Sequence, residues 1–84
     1  MKGEVYWFHN RTFIVGTVGH KYLTGLVIEG DGLHTLKVPV TEKLAPAMYH
    51  GQPYPARKMR GHLRKMVATS KSAAVIRKEL LANG

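Results

Sequence analysis

Tyr22-Leu23-Thr24-Gly25-Leu26-Val27-Ile28-Glu29 is followed by Gly30-Asp31-Gly32 and then by Leu33-His34-Thr35-Leu36-Lys37-Val38-Pro39. Two runs rich in aliphatic and β-branched residues flank the strongest turn signal in the chain. Two glycines around an aspartate supply positive φ without a Cβ clash. The combination predicts an antiparallel hairpin. Register follows from the two-residue period of side chains along a strand. A three-residue loop sets Glu29 against Leu33, Ile28 against His34 and Leu26 against Leu36. One face then collects Leu26, Ile28, Leu36 and Val38, and the other Glu29, Thr35 and Lys37. Loops of two or four residues mix these sets, so three is expected.

The same reading extends toward the N-terminus. Residues 3–39 are rich in Val, Ile, Thr, Tyr, Phe and Trp, with Gly and Asn at short intervals. Strands are predicted near 3–9, 12–18, 22–29 and 33–39, with turns at Asn10-Arg11, Gly19-His20-Lys21 and Gly30-Asp31-Gly32. Pairing His9 with Thr12 puts Tyr6, Phe8, Phe13 and Val15 on one face and Val5, Trp7 and Ile14 on the other. Both faces are apolar, so this hairpin is expected to be covered on both sides, in a small barrel or under a helix. Trp7 is expected to be largely buried.

Toward the C-terminus the pattern changes twice. Residues 40–55 form a connector in which Pro46, Pro53, Pro55 and Gly51 forbid a long helix. Thr41–Ala45 has room for one helical turn. Tyr49, His50 and Tyr54 read as a loop, either pinned to the sheet or serving function. From Pro55 on, the period is helical. Leu63, Met66 and Val67 fall on one side with Met59 and Ala56, and Arg57, Arg60 and Arg64 fall opposite. Continued through residue 82, that phase would put Arg77 in the apolar stripe, so it breaks near Thr69-Ser70-Lys71-Ser72. Ser70 or Ser72 caps a second helix near 71–82 that buries Ala73, Ile76 and Leu80, and Asn83-Gly84 ends it.

The expected fold is α+β within a single domain, residues 1–84. It has a β part (1–39), a connector (40–55) and a basic helical part (56–84). The sheet is small, twisted and antiparallel, of about four strands, open or barrel-like, and two C-terminal helices follow it. Eighty-four residues hold one core, and there is no cysteine for a disulfide or a thiolate metal site. The 44% apolar content suits a folding domain. No run reaches the length of a membrane span, and no apolar stretch follows the N-terminus as in a signal peptide, so a cytoplasmic location is expected.

Charge carries the functional signal. Thirteen Lys and Arg against five Asp and Glu give a net charge of +8. Residues 1–54 contribute only +1 of this and residues 55–84 contribute +7. Within 57–65 stand Arg57, Lys58, Arg60, Arg64 and Lys65, with His62 among them. A solvated helix alternates Lys with Glu, because like charges one turn apart repel. Arg57, Arg60 and Arg64 stack as like charges, which a polyanion would neutralise.

Specific motifs are lacking. Leu63–Leu80 has the look of a helix-turn-helix, but its small packing position holds Leu63 or its core holds a basic residue. Gly16-Thr17-Val18-Gly19 has KH-loop spacing but lies between strands. There is no RNA-recognition sheet signature, phosphate-binding P-loop or dinucleotide fingerprint. The five carboxylates are scattered and the five histidines have no metal spacing. His34 and His50 remain as candidates for a metal-free ribonuclease. A membrane-surface role lacks large apolar anchors.

The leading expectation is therefore a non-enzymatic nucleic-acid-binding protein with no cofactor and no metal. Arg57, Lys58, Arg60, Arg64, Lys65, Lys71 and Lys78 would meet phosphates, and Tyr6, Phe8, Tyr49 and Tyr54 are the stacking candidates. The alternative is a small adaptor or inhibitor docking its basic helix on an acidic protein surface. Neither reading invokes a membrane.

Overall fold

A six-stranded sheet carries both helices on one face. The structure is a computed structural model and describes residues 2–82. The strands are β1 (Val5–Phe8), β2 (Arg11–Val18), β3 (Tyr22–Glu29), β4 (Gly32–Pro39), β5 (Ala45–Pro46) and, after a separate hairpin of β6 (Met48–Tyr49) and β7 (Gln52–Pro53), β8 (Val67–Ala68). The helices are α1 (Ala56–Lys65) and α2 (Lys71–Ala82). Strand order in the main sheet is β5-β1-β2-β3-β4-β8, antiparallel except for the β4–β8 pair. The α+β class and the two C-terminal helices agree with the sequence reading. The sheet has six strands rather than about four, and it is open rather than closed into a barrel.

The long strands fall where their composition places them, but two registers differ from expectation. The β3–β4 loop holds two residues, so Glu29 pairs with Gly32 and Leu26 with Thr35, not Leu36. Gly30 alone of the two takes positive φ (60°), the pattern of a type II′ turn, which is matched to strand twist. The one-residue change moves Leu36 and Val38 to the face of Leu23 and Val27. Separating apolar from polar residues is a poor guide here because both faces are covered. In the first hairpin Phe8 pairs with Arg11, and the turn is His9-Asn10 with φ of 48° and 62°. This differs by two residues from the His9–Thr12 pairing, so the assignment of faces survives.

Two cores result. Under the helices, Val5, Ile14, Leu26 and Leu33 pack with Met59, Leu63, Ala73, Ile76 and Leu80. On the opposite face Phe13, Val15, Leu23 and Val38 are buried, with Tyr6, Phe8, Leu36 and Leu44 packed around them. Neither α1 nor α2 covers this second face. Leu44 reaches it from the segment that leaves β4 and crosses to the far edge of the sheet, where Ala45 and Pro46 pair with Trp7 and Tyr6. Thr41–Ala45 therefore makes a turn and then a strand, not a helical turn. Trp7 lies beyond the cover of the helices and is 46% exposed, against the expected burial.

A bulge between Val15 and Thr17 leaves Gly16 unpaired. A Cβ at Gly16 would fall 2.7 Å from Ile76 Cγ2, so the missing side chain lets α2 seat on β2.

The break between the helices is itself structured. The first helix ends at Lys65, and Val67 and Ala68 then form β8, hydrogen-bonded in parallel beside Gly32 and Leu33. Val67 is thus exposed instead of joining the α1 stripe, and Ala56 is exposed as well. Ser70 caps α2, its Oγ accepting from the Ala73 backbone N–H at 3.1 Å. Ala73, Ile76 and Leu80 are the buried residues of α2, as the sequence predicts. The expected stop at Asn83-Gly84 lies outside the described residues.

Candidate nucleic-acid interface

The helix α1 owes its place to the connector. Ala47, buried between β5 and β6, donates its N–H to the Val5 carbonyl and accepts from the Tyr54 N–H. The β6–β7 hairpin closes through His50-Gly51, both with positive φ, in a primed turn. Pro55 then opens α1 in an extended conformation, with no side-chain cap and no acidic residue in the first turn. Met59 and Leu63 bury one side, which turns the basic residues outward.

Arg57, Lys58, Arg64 and Lys65 are exposed and Arg60 is half-buried. Between Glu42 and Glu79 the chain has no acidic residue. Among the described residues none of these five cations forms an ion pair; the Arg11–Glu29 bridge (3.1 Å) lies on the sheet, away from the helix. Ten residues of helix span about 15 Å, so the field of these charges is concentrated on one short rod. Arg77 differs from the other basic residues. It is half-buried and donates to the Met66 carbonyl at the end of α1. Its role is structural.

Aromatic rings flank α1. Lys58 Nζ stands 4.4 Å from the centre of the Tyr49 ring. A side-chain hydrogen bond with Tyr49 raises the Lys58 pKa above the ordinary lysine value, which favours its charged form. Tyr49 packs on Tyr54 (ring centres 5.4 Å apart), and Tyr54 lies 6.3 Å from His62. On the other flank, a groove of about 570 Å³ opens between α1 and the β1–β5 edge. Tyr6, Tyr54 and Arg60 all line it. The Tyr6 hydroxyl donates to Glu4 Oε1 at 3.1 Å; burial, then this bond, raises the Tyr6 pKa.

The structure thus gathers Arg57, Lys58, Arg60, Arg64, Lys65, Tyr49 and Tyr54 around one helix. It does not bring the rings of Tyr6 and Phe8 there. Both pack on the second core, on the other face of the sheet, although Tyr6 also borders the groove. Lys71 and Lys78 are exposed on α2, two turns apart, and β8 separates them from the α1 row. Lys2 at the rim of the groove escaped the sequence reading, because nothing local marks it as a neighbour of Arg60.

The remaining chemistry is sparse. Thr69 Oγ1 donates to the Leu33 carbonyl (2.8 Å), so it accepts from His34 Nδ1 (3.1 Å). His50 packs its ring on Tyr49. Neither histidine has a carboxylate or second histidine as hydrogen-bond partner among the described residues. No three of His, Asp and Glu converge among those residues. No described helix is long and apolar enough to cross a membrane.

No protein-family model, curated protein or solved structure matches the chain.

Proposed function

We propose that this chain is a non-enzymatic nucleic-acid-binding protein that holds the phosphate backbone with α1. The observation that carries this reading is the row of unpaired cations on the helix. Arg57, Arg60 and Arg64 repel one another and, among the described residues, no carboxylate relieves them. Burial of Met59 and Leu63 on the opposite side keeps the row facing out. Lys65 and the Tyr49-supported Lys58 extend it, and Lys71 and Lys78 add a second, separate basic face on α2.

The test is anion binding as a function of salt. Arg57, Arg60 and Arg64 should be replaced together by Gln. Each lost phosphate contact lowers the salt slope by about 0.9 on duplex DNA and about 0.7 on single strands. The control replaces Lys21, Lys37 and Lys43, which removes the same charge from the sheet and the crossing segment. The reading requires a steep loss with the arginine triple and a shallow one with the control. Equal losses would mean attraction by net charge without a site. Loss of an acidic protein partner, with nucleic-acid binding unchanged, would favour the adaptor reading.

A further inference from the structure

The groove beside α1 differs in character from the basic row. Its floor comes from the main core: Val5, Ile14, Met59, Leu63 and Leu80 are each only 1–6% exposed. The floor is therefore closed by the core itself. What a ligand meets is the Tyr54 ring with Pro46 and Pro53, two cations at the rim, Lys2 and Arg60, and the Glu4 carboxylate, which accepts from the Tyr6 hydroxyl. Neither cation forms an ion pair among the described residues.

We infer that the groove seats one nucleotide of a single strand, its base stacked against Tyr54 and the proline walls and its phosphate held by Arg60 and Lys2. The inference rests on the nucleic-acid reading and narrows it to strands with unpaired bases. Ring faces recognise a base only when it is out of its own stack, since every base has a π-face that stacks on an aromatic ring. A duplex offers α1 its phosphates but offers the groove nothing. Arg60 belongs to both the basic row and the groove rim, so the strand would run from the helix into the groove. A volume of this size is ample for a small ligand group. An acidic peptide anchored by an aliphatic side chain is the competing occupant, and the test separates the two.

Ala56 gives a clean probe. It is exposed, lines the groove and is the first residue of α1. Ala56→Leu narrows the groove at the start of α1, leaves every charge in place and keeps a good helix former. Binding is measured by fluorescence anisotropy on oligothymidylate of about 12 nucleotides, an abasic oligomer with the same phosphates, and a duplex of equal length. The wild type should bind oligothymidylate about tenfold more tightly than the abasic strand, as expected for stacking one base. Ala56→Leu should remove that advantage and leave duplex binding unchanged. Equal binding of the two single strands, or an oligothymidylate affinity untouched by Ala56→Leu, overturns the inference. If that happens while the arginine triple still abolishes binding, the reading of α1 stands alone. If none of the three probes binds at low salt, the nucleic-acid reading itself falls. A leucine-anchored acidic peptide that binds the wild type and is lost with Ala56→Leu, with oligothymidylate binding unchanged, would make the groove a protein site and also overturn the inference.

Discussion

Arg77 in α2 donates a hydrogen bond to the backbone carbonyl of Met66, the residue that caps the C-terminus of α1. A cation at a helix C-terminus satisfies an orphan carbonyl and complements the helix dipole. One of the basic residues of the C-terminal part thus ties the two helices together. Arg77→Ala should cost about 1–3 kcal/mol, as for a lost charge-assisted bond. Urea denaturation measures this cost. The salt slope of nucleic-acid binding should stay unchanged.

The cap of α2 is Ser70, and Ser72 instead bonds the Thr35 hydroxyl at 3.0 Å. Ser70→Ala should lower stability by about 0.5–2 kcal/mol, and Ser72→Ala by clearly less. Lys71 is the first residue of α2, where proline is accommodated. Lys71→Pro should melt close to the wild type, whereas a helix running unbroken from α1 would lose about 3 kcal/mol. Thermal melts of the three variants rank these effects.

Gly16→Ala should destabilise by about 1–3 kcal/mol, the range for overpacking. The new methyl would meet Ile76 Cγ2 at 2.7 Å and the Thr24 carbonyl at 3.1 Å. Replacing Ile76 by Ala removes Cγ2 and should relieve the clash. In a double-mutant cycle on Gly16→Ala and Ile76→Ala the double variant should therefore be less destabilised than the sum of the two single variants. Simple additivity would mean that α2 does not rest on the bulge.

Trp7 is nearly half exposed, paired with Thr12 and Ala45 near the sheet edge. Trp7→Ala should cost about 1–2 kcal/mol, less than the roughly 3–5 kcal/mol of a buried ring. Native tryptophan fluorescence should be readily quenched by acrylamide. A blue-shifted, protected emission would contradict the exposed edge position.

The basic row of α1 is legible because it is a local property. Charge, helical period and the opposing Met59 and Leu63 all lie within three turns. Its aromatic company is not. Tyr49 reaches Lys58 only because β6 and β7 fold back. Loop composition marks Tyr49 and Tyr54 as candidates without indicating which cation each will meet. Tyr6 and Phe8, the candidates on the sheet, pack on the other core.

The amino-acid sequence by itself determined the four long strands, the two helices with the buried set Ala73, Ile76 and Leu80, and the concentration of positive charge on α1. Each follows from side-chain periodicity and turn chemistry within a short window. Only the tertiary structure decided the register of Leu26 against Thr35, the pairing of Gly32 with Val67 in β8, the exposure of Trp7 and the groove between α1 and β1. Periodicity reports which residues share a face, and it sets register only when one face meets water. Here both faces of the sheet are covered, so the choice passed to turn geometry and to contacts between residues far apart in the chain.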